Sequence, residues 1–300
     1  MPLPLTPNSN LIKRLKDRYK RLGQFMIGEL TRAMNSTYPQ IEATNVQGKI
    51  NSAIKQVDVF AEAWSKMAVT RAYTDSAKKT KVQLEMVGAR KPAGKLPGRA
   101  HGENMARFTA KIFGDLKKAN ESAYRSAQSI LTLIRSGTAR VSRLQEFEFG
   151  PNDIAEVESL FDEWAAEAVL KGQARATLSY RIIDYLRDQI EDGDFIEVNG
   201  RHYTVGYYAE MVARTILREA QTSATKAMCN DYDNDLVEFS THNKPCAECA
   251  ELEGMVFSIS GTHPSHPPLT ADEEPPLHPN CEHSLTPTSD IAISARETEA

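Results

Sequence analysis

Apolar side chains recur at helical spacing through the first half of the chain, and no other sequence feature constrains the fold as strongly. Between residues 11 and 35 they return mostly at steps of three and four, which places them on one face of a helix. These residues are Leu11, Leu15, Tyr19, Leu22, Phe25, Met26 and Leu30. The pattern returns over about 49–71, continues to about 86, and recurs over 103–135. The sequence therefore predicts long amphipathic helices.

Two breaks interrupt the helical pattern. Residues 87–102 hold four glycines, two prolines and four basic residues, a composition that predicts a mobile basic loop. Gly150 and Pro151 form the second break, after which helical patterns cover about 153–170 and 174–189. A helical architecture is therefore expected to continue beyond the middle of the chain.

The pattern changes after residue 193. The Asn199-Gly200 dipeptide lies between two short apolar runs, and it favours a two-residue hairpin because both turn positions need positive φ. A helix over about 207–228 follows, and short strands are predicted over 236–240 and 255–259. These shorter elements indicate a small mixed module.

Together these patterns predict a mainly α fold with a small C-terminal α+β module. A long, basic, helical N-terminal part, residues 1–193, is expected to precede a short-stranded domain over residues 194–288. Cysteine and histidine side chains are expected to staple that domain. Residues 289–300 are expected to form a flexible tail.

Charge is divided unevenly between the two halves of the chain. Residues 1–150 carry 26 lysines and arginines against 12 aspartates and glutamates, whereas residues 151–300 carry 10 against 28. The formal net charge of -4 hides this division. A basic half can meet DNA phosphates or an acidic protein surface. The alternative is a set of solvated helical faces without a partner.

Composition argues against several classes of protein. No apolar run approaches the roughly 20 residues of a membrane helix, and the first residues contain no hydrophobic stretch typical of a secretory signal. Four cysteines in 300 residues are too few for a disulfide scaffold. They fit a reducing compartment or a metal site better.

Three of the cysteines lie close together near the C-terminus. Cys246 and Cys249 form a C-x-x-C pair, and His278 with Cys281 forms an H-x-x-C pair. Two such pairs separated by a loop suit tetrahedral zinc, and three cysteines with one histidine leave no open position. We predict a structural zinc site with these four ligands and with His283 as an alternate ligand. Unmetallated thiols and a disulfide are the alternatives that spacing leaves open.

One enzyme signature is present in part. Zinc deaminases carry H-x-E followed by P-C-x-x-C, and this chain has His101-Gly102-Glu103 and, far along the sequence, Pro245-Cys246 with Cys249. In the deaminase fold these pieces lie on adjacent helices, whereas here several predicted helices separate them. A deaminase-like enzyme is therefore the weaker alternative, and no enzymatic activity is expected.

Three stretches of the C-terminal region occur in an order that resembles the phage minor capsid proteins, the head-morphogenesis group that includes proteins like the F protein of phage Mu. They are NGRHYTVGYYAEMVART (199–215), DLVEFSTHNKPCAECAELEGMVFSISG (235–261) and PPLHPNCEHSLTP (275–287). The resemblance covers about residues 199–287. One departure is Glu282, where that group usually has arginine.

The resemblance implies a structural protein of a tailed-phage head, present in few copies. Such proteins associate with the portal vertex during head assembly and can contact packaged DNA, so portal protein and other head proteins are the implied partners. The implied location is the virion, after assembly in the host cytoplasm. A zinc-stabilised DNA-binding protein outside a virion is the alternative that shares the basic half.

Basic residues of the first half are the candidates for contact with DNA or a partner protein. They are Lys13, Arg14, Lys16, Arg18, Lys20, Arg21, Arg90, Lys91, Lys95 and Arg99. Arg201 and Arg214, within the resembling region, are candidates for orienting the Cys/His module or touching the portal. The alternative for both is an ordinary surface or ion-paired arginine.

Overall fold

The computed structural model describes residues 9–92, 99–142, 193, 195–198, 201–242, 245–279 and 281–299. Helices dominate these residues, and the strands are short. The elements in chain order are α1 Ser9–Met34, α2 Pro39–Met86, α3 Ala100–Ser142, β1 Ile196–Val198, β2 Arg201–Tyr203, α4 Val205–Asp231, β3 Leu236–Phe239, α5 Ala247–Ala250, β4 Val256–Ser258, β5 Leu285–Pro287 and α6 Asp290–Glu299. The predicted mainly α fold with a small C-terminal sheet is confirmed.

Helix boundaries differ from the predicted ones in places where a breaking residue is tolerated. Helix α2 begins at Pro39 rather than near Lys49, because proline fits the first turn of a helix, where its missing N–H has no partner to lose. Helix α3 continues past Gly137 to Ser142, beyond the predicted limit of about residue 135, since an interior glycine costs only about 1 kcal/mol. The helices predicted over 153–170 and 174–189 lie outside the described residues.

The chain is divided into two compact units. The first unit comprises residues 1–14, 61–115 and 210–300, and the second comprises residues 15–60 and 116–209. The predicted boundary between residues 193 and 194 stays a prediction, because residues 143–192 lie outside the described part of the chain.

The core of the second unit contains the apolar face of α1. Leu15, Tyr19 and Met26 are fully buried there. Phe25 is 39% exposed, so its predicted place on this apolar face was wrong. Asn120 of α3 donates a hydrogen bond to Asp58 at 2.6 Å and lies 3.3 Å from the Tyr19 hydroxyl. Burial raises the pKa of the Tyr19 phenol, which therefore stays neutral and hydrogen-bonded.

The predicted hairpin also forms within the second unit. β1 and β2 pair antiparallel, with Glu197 opposite His202, as predicted. The predicted turn residues, Asn199 and Gly200, lie outside the described residues. Ser126 of α3 donates its hydroxyl proton to the Phe195 carbonyl at 2.9 Å. This bond ties the hairpin to the side of a long helix.

The first unit contains a three-stranded antiparallel sheet in the order β4-β3-β5. Val237 at its centre pairs with Phe257 of β4 and Pro287 of β5. Strand β5 was absent from the predicted elements because it ends in proline, which cannot donate to a ladder; at an edge position this loss is tolerated. The sheet and the helices around it bury Leu84, Cys229, Tyr232, Val237, Phe239, Phe257 and Leu285.

Polar side chains join the helices within the first unit. The Thr80 and Thr225 hydroxyls lie 3.1 Å apart, and both residues are buried. A second chain of hydrogen bonds runs from the Tyr73 hydroxyl through His101 to the Asp231 carboxylate, with both contacts at 3.1 Å. These bonds satisfy polar groups that would otherwise be costly to bury between helices.

Residues 290–299, expected to be a flexible tail, form helix α6. Arg296 donates to the Glu238 carboxylate of β3 at 2.7 Å, and Ser289 donates to the Val87 carbonyl at 3.2 Å. The expected basic loop begins where predicted, because α2 ends at Met86, but its other boundary was wrong, because α3 already begins at Ala100. Within the described ranges, no helix is long and apolar enough to cross a membrane.

Candidate metal centre

The C-x-x-C pair is arranged by a single helical turn. Cys246 is the N-cap residue of α5, with an extended backbone, and its sulfur accepts a hydrogen bond from the Cys249 N–H at 3.4 Å. A separation of three residues across such a turn brings both thiols to the same side. Gly254, at φ +77°, then turns the chain into β4, a conformation that glycine adopts without strain.

His278 lies between the two thiols of this pair. Its Nε2 atom is 3.3 Å from the Cys246 sulfur and 3.3 Å from the Cys249 sulfur. The other ring nitrogen, Nδ1, is 3.0 Å from the Pro279 carbonyl oxygen. Since a carbonyl only accepts, Nδ1 carries the proton and Nε2 presents its lone pair, which is the tautomer that a metal requires.

Cys281 and His283 extend the cluster on the buried side. The Cys281 sulfur is 3.9 Å from the Cys249 sulfur and 3.7 Å from His283 Nδ1. His283 is held by its other nitrogen, which lies 2.9 Å from a Glu253 oxygen. A carboxylate on the far nitrogen of a histidine is the usual outer partner of a metal ligand.

The potential ligands form two triads that share Cys249. One contains Cys246, Cys249 and His278, and the other contains Cys249, Cys281 and His283; in each, the ligand atoms lie within 4.8 Å of one another. Tetrahedral zinc with bonds of about 2.3 Å to sulfur separates its ligand atoms by about 3.8 Å. The observed separations of 3.3 to 3.9 Å fit that geometry. The structure thus groups Cys246 and Cys249 with His278, and it groups Cys281 with Cys249 and His283. The four predicted ligands do not form one group within 4.8 Å, and His283 stays a candidate.

The disulfide alternative is not realised in this structure. All four cysteines are free, and the 3.9 Å between the Cys249 and Cys281 sulfurs is about twice the length of a disulfide bond. Cys229, outside the cluster, is completely buried. Burial raises the pKa of its thiol to about 12, so it stays neutral in the apolar core.

Arg218 of α4 is a neighbour of the cluster that the sequence analysis missed. Burial lowers the pKa of this arginine, and negative charge on the Cys281 sulfur and on the Glu282 carboxylate opposes that shift. Its guanidinium also donates to Gln221 at 3.3 Å. The signal that could have found it is the polar stripe that Arg218, Gln221, Thr222 and Thr225 form along α4.

Glu282, the departure from the resembling group, has partners of its own. A Glu282 oxygen lies 2.7 Å from His242 Nε2, and Arg218 is close enough to interact with the same carboxylate. A carboxylate between a histidine and an arginine is electrostatically favourable. Arginine at this position would instead face Arg218.

We expect Glu282→Arg to lower the free energy of unfolding by about 1 kcal/mol, the upper range for exposed ion pairs, because it places a second cation beside Arg218. Urea denaturation measures this change. Glu282→Gln is the matched control, since it removes the carboxylate without adding a cation, and we expect about half the effect. A Glu282→Arg variant as stable as the parent would contradict the assigned pairing.

The two arginines predicted to orient the module are both exposed. Arg214 donates to Glu210, one turn earlier on α4, at 2.7 Å, the ion-paired arrangement named as its alternative. Arg201 lies on the exposed edge of β2. Neither observation tests an orienting or portal-contacting role, which stays a prediction for both residues.

Most predicted contact residues of the basic half are accessible. Lys13, Arg14, Lys20 and Arg21 are exposed along α1, while Lys16 and Arg18 are half-buried. Arg90, Lys91 and Arg99 are exposed beside the basic loop, and Lys95 lies outside the described residues. Arg99 pairs with Glu103 at 2.9 Å. Accessibility permits contact with a polyanion and does not by itself assign one.

His101 and Glu103, the first part of the deaminase signature, make contacts with residues outside that signature. Both ring nitrogens of His101 are engaged, one by Tyr73 and one by Asp231, and Glu103 pairs with Arg99. Among the described residues, the groups that could hold a metal do not include His101. The geometry therefore gives the deaminase alternative no support.

In the metal-free protein, we expect Cys246 to react with iodoacetamide first and Cys229 last. Cys246 is exposed, and the Cys249 N–H lowers the pKa of its thiol, which raises the thiolate fraction at neutral pH. Mass spectrometry of peptides from time-quenched samples gives the order. Prior addition of zinc should slow labelling of Cys246 and leave Cys229 unchanged. Equal labelling rates for Cys246 and Cys229 would contradict the assignment of Cys246 as exposed and Cys229 as buried.

Comparison with known proteins links the region around this cluster to a family. Residues 187–292 match the model of the family described as phage minor capsid protein 2. No curated protein and no solved structure matches the chain. The match confirms the resemblance to phage minor capsid proteins over the C-terminal third, and it supports a structural role in the phage head.

Proposed function

We propose that this structural head protein acts in head assembly at the portal vertex of a tailed phage. The observation that carries the proposal is the match of residues 187–292 to a minor capsid family, over the region that also brings the Cys/His cluster together. The Pro-Leu-His-Pro-Asn-Cys segment of the resembling region supplies two of the cluster's side chains, His278 and Cys281. The same region therefore accounts for both the family likeness and the site.

The cluster's proposed role is to hold a structural zinc ion. Cys246, Cys249, His278 and Cys281 would complete a tetrahedron and leave no position for substrate water, with His283 as the alternate ligand. Cys249 lies one turn from the N-cap, and the Cys281 N–H donates to the His278 carbonyl at 3.1 Å. Each ligand pair is thus preorganised by its own backbone, and the ion would join the segment after β3 to the segment before β5.

The proposed partners of the basic half are DNA and the portal protein. Exposed cations lie along the first half of α1, at Lys13, Arg14, Lys20 and Arg21. Lysine and arginine side chains on one exposed helix segment can neutralise phosphates in sequence with little cost in desolvation. Contact with packaged DNA requires only such a surface, and it needs no base-specific reading.

Cross-linking in assembling heads tests the portal proposal. Amine-reactive cross-linking of heads isolated from infected cells should yield peptides that join this chain to the portal protein. The control is the same treatment of particles assembled without this chain. Cross-links exclusively to the major capsid protein, far from the vertex, would overturn the portal placement while leaving the head protein itself in place.

Salt dependence tests the DNA proposal. Replacing Lys13, Arg14, Lys20 and Arg21 by glutamine should reduce the slope of log K against log salt by about 3 to 4 for duplex DNA, at about 0.9 per phosphate contact. A matched variant replaces four exposed lysines of α2, Lys55, Lys66, Lys78 and Lys81. The same slope change in both variants would show general charge effects and contradict a dedicated surface on α1.

The protein is proposed to have no enzymatic activity. A zinc ion bound by three cysteines and one histidine has no open coordination position at which to activate water. Assays with cytosine and adenine nucleosides and with single-stranded DNA should show no deamination. Deamination that disappears in Glu103→Ala would overturn this part of the proposal.

A further inference from the structure

A second group of metal-binding side chains lies apart from the cysteines. His263 and His266 belong to the segment between β4 and β5, and Asp290 is the first residue of α6. His263 Nε2 is 3.3 Å from one Asp290 oxygen and His266 Nε2 is 3.8 Å from the other. The three ligand atoms lie within 4.8 Å of one another. We call these three residues the loop site.

The loop that carries the two histidines is held in place by Asp235 and Ser258. Asp235 accepts hydrogen bonds from the Ser258 hydroxyl at 2.5 Å and the Ser260 N–H at 2.7 Å. The Ser258 hydroxyl in turn accepts from the Gly261 N–H at 2.9 Å. Gly261 has φ +73°, and a Cβ atom there would stand 3.2 Å from Pro268. The histidines are thus presented by a loop whose course is fixed by its own hydrogen bonds.

Asp290 is fixed from a different element. The Ala292 N–H donates to the Ser289 hydroxyl at 3.3 Å, which caps α6 and places Asp290 in its first turn. A carboxylate in this position is stabilised as an anion by the unpaired N–H groups of the helix terminus. The charged ligand and the two imidazoles therefore converge from separately supported segments.

A hydrogen bond explains only part of this arrangement. The His263 contact with Asp290 could be one, but at 3.8 Å the His266 contact is too long. The imidazole rings nevertheless lie 5.0 Å apart, and both direct Nε2 toward the same carboxylate. The histidine side chains are 17% and 20% exposed and that of Asp290 is 67% exposed, so an ion could enter from solvent.

We propose that the loop site binds a divalent transition-metal ion of the class that prefers imidazole, such as zinc, cobalt or nickel. Two histidines and one carboxylate supply three ligands, and water fills the remaining positions. The ion would join the loop after β4 to the first turn of α6. This site is independent of the proposed cysteine site, with which it shares no residue.

Metal binding at the loop site breaks one hydrogen bond, and this loss predicts a lower metal affinity than that of the cysteine site. The Ser265 N–H lies 3.3 Å from His263 Nδ1, and coordination through Nε2 moves the ring proton to Nδ1, so this contact must break. A site with three ligands and one broken contact binds more weakly than a complete site of three thiolates and one imidazole. The cysteine site is therefore expected to fill first.

Cobalt binding by the full chain tests the proposal. The protein is first loaded with one equivalent of zinc and then titrated with cobalt(II), with visible absorption and bound metal both measured. The expected result is a second metal equivalent, with visible cobalt bands and no thiolate-to-cobalt charge-transfer band. Absence of a second equivalent in the parent protein would overturn the proposal.

Variants assign that second equivalent to the loop site. His263→Ala with His266→Ala should abolish it, and Asp290→Asn should weaken it by about 10-fold or more, since loss of even an outer-shell partner costs 10- to 100-fold. His202→Ala, which removes an exposed histidine of β2, is the control and should leave it unchanged. If the double histidine variant unfolds, Asp290→Asn still tests the contribution of the loop site to metal binding. Unchanged affinity in Asp290→Asn would also overturn the proposal.

Discussion

Replacing Cys249 by serine is expected to lower the free energy of unfolding of the first unit by more than about 4 kcal/mol. Structural zinc binds to small domains with a free energy of about 10–16 kcal/mol at pH 7, and most of this free energy stabilises the folded state. Cys249 is the thiol that both ligand triads share, and it is 1% exposed. Its loss therefore removes a ligand whichever histidine completes the proposed site. A serine hydroxyl would also be left buried without an ion.

Urea denaturation and zinc content together measure this effect. Cys229→Ala is the matched control, since Cys229 is also completely buried in the first unit and belongs to none of the metal-binding groups of described residues. We expect that control to retain one zinc per chain and to lose only about 1 to 2 kcal/mol for a small buried side chain. Chelation should lower the melting temperature of the parent and of Cys229→Ala, and leave Cys249→Ser unaffected.

The opposite pattern would contradict the zinc proposal. If the parent protein holds no zinc after purification without chelator, and if Cys249→Ser and Cys229→Ala are equally stable, the thiols are ordinary core residues. The second unit offers an internal reference, because it contains neither triad. If Cys249→Ser lowered the stability of both units equally, the effect of the ion would not be confined to the first unit.

Phe239→Ala is expected to cost about 3 to 5 kcal/mol, the usual range for removing a phenyl ring from a packed core. Phe239 is completely buried in the sheet of the first unit. Its ring also stacks on His283 with centroids 5.0 Å apart. The substitution therefore leaves a cavity and frees the imidazole beside the Cys281 thiol.

Urea unfolding of Phe239→Ala, beside a matched phenylalanine variant, checks this prediction. Phe25→Ala removes the same atoms from a side chain that is 39% exposed, so we expect a loss within about 1 kcal/mol. The contrast tests the structure's correction of the α1 stripe as well as the sheet core. A larger loss for Phe25→Ala than for Phe239→Ala would contradict both assignments.

Local patterns in the sequence predicted most of the architecture. The apolar spacing of α1 places Leu15, Tyr19 and Met26 on its buried face, since the 3.6-residue repeat alone decides which side chains share a face. The Asn-Gly dipeptide gave the hairpin register, because a two-residue turn fixes which residues stand opposite. Such features need no knowledge of distant contacts.

The metal-binding cluster was predictable in part for the same reason. The x-x spacing brings Cys246 and Cys249 together within one turn, and a backbone hydrogen bond joins Cys281 to His278 across the same spacing. The convergence of the two pairs was an inference from ligand chemistry. The contact of Cys281 with His283 and the Glu253 carboxylate behind it depend on how the β3–β4 turn packs.

Features that depend on tertiary packing could not be predicted from the sequence. Arg218 of α4 interacts electrostatically with Cys281 and Glu282, and Asp290 meets His263 and His266 from a segment expected to be a flexible tail. Strand β5 was hidden by Pro287, which is acceptable only because β5 lies at the edge of its sheet. In each case the partner lies far along the chain, and no periodicity connects the two.

Quantitative mass spectrometry of gradient-purified, DNA-filled phage particles tests the central claim most directly, with particles made in the absence of this gene product as the control. The account predicts peptides from this chain in the mature particles, in a small and constant ratio to the major capsid protein. Absence of the chain from those particles, in a lysate where it is abundant, would contradict its assignment as a structural protein of the head.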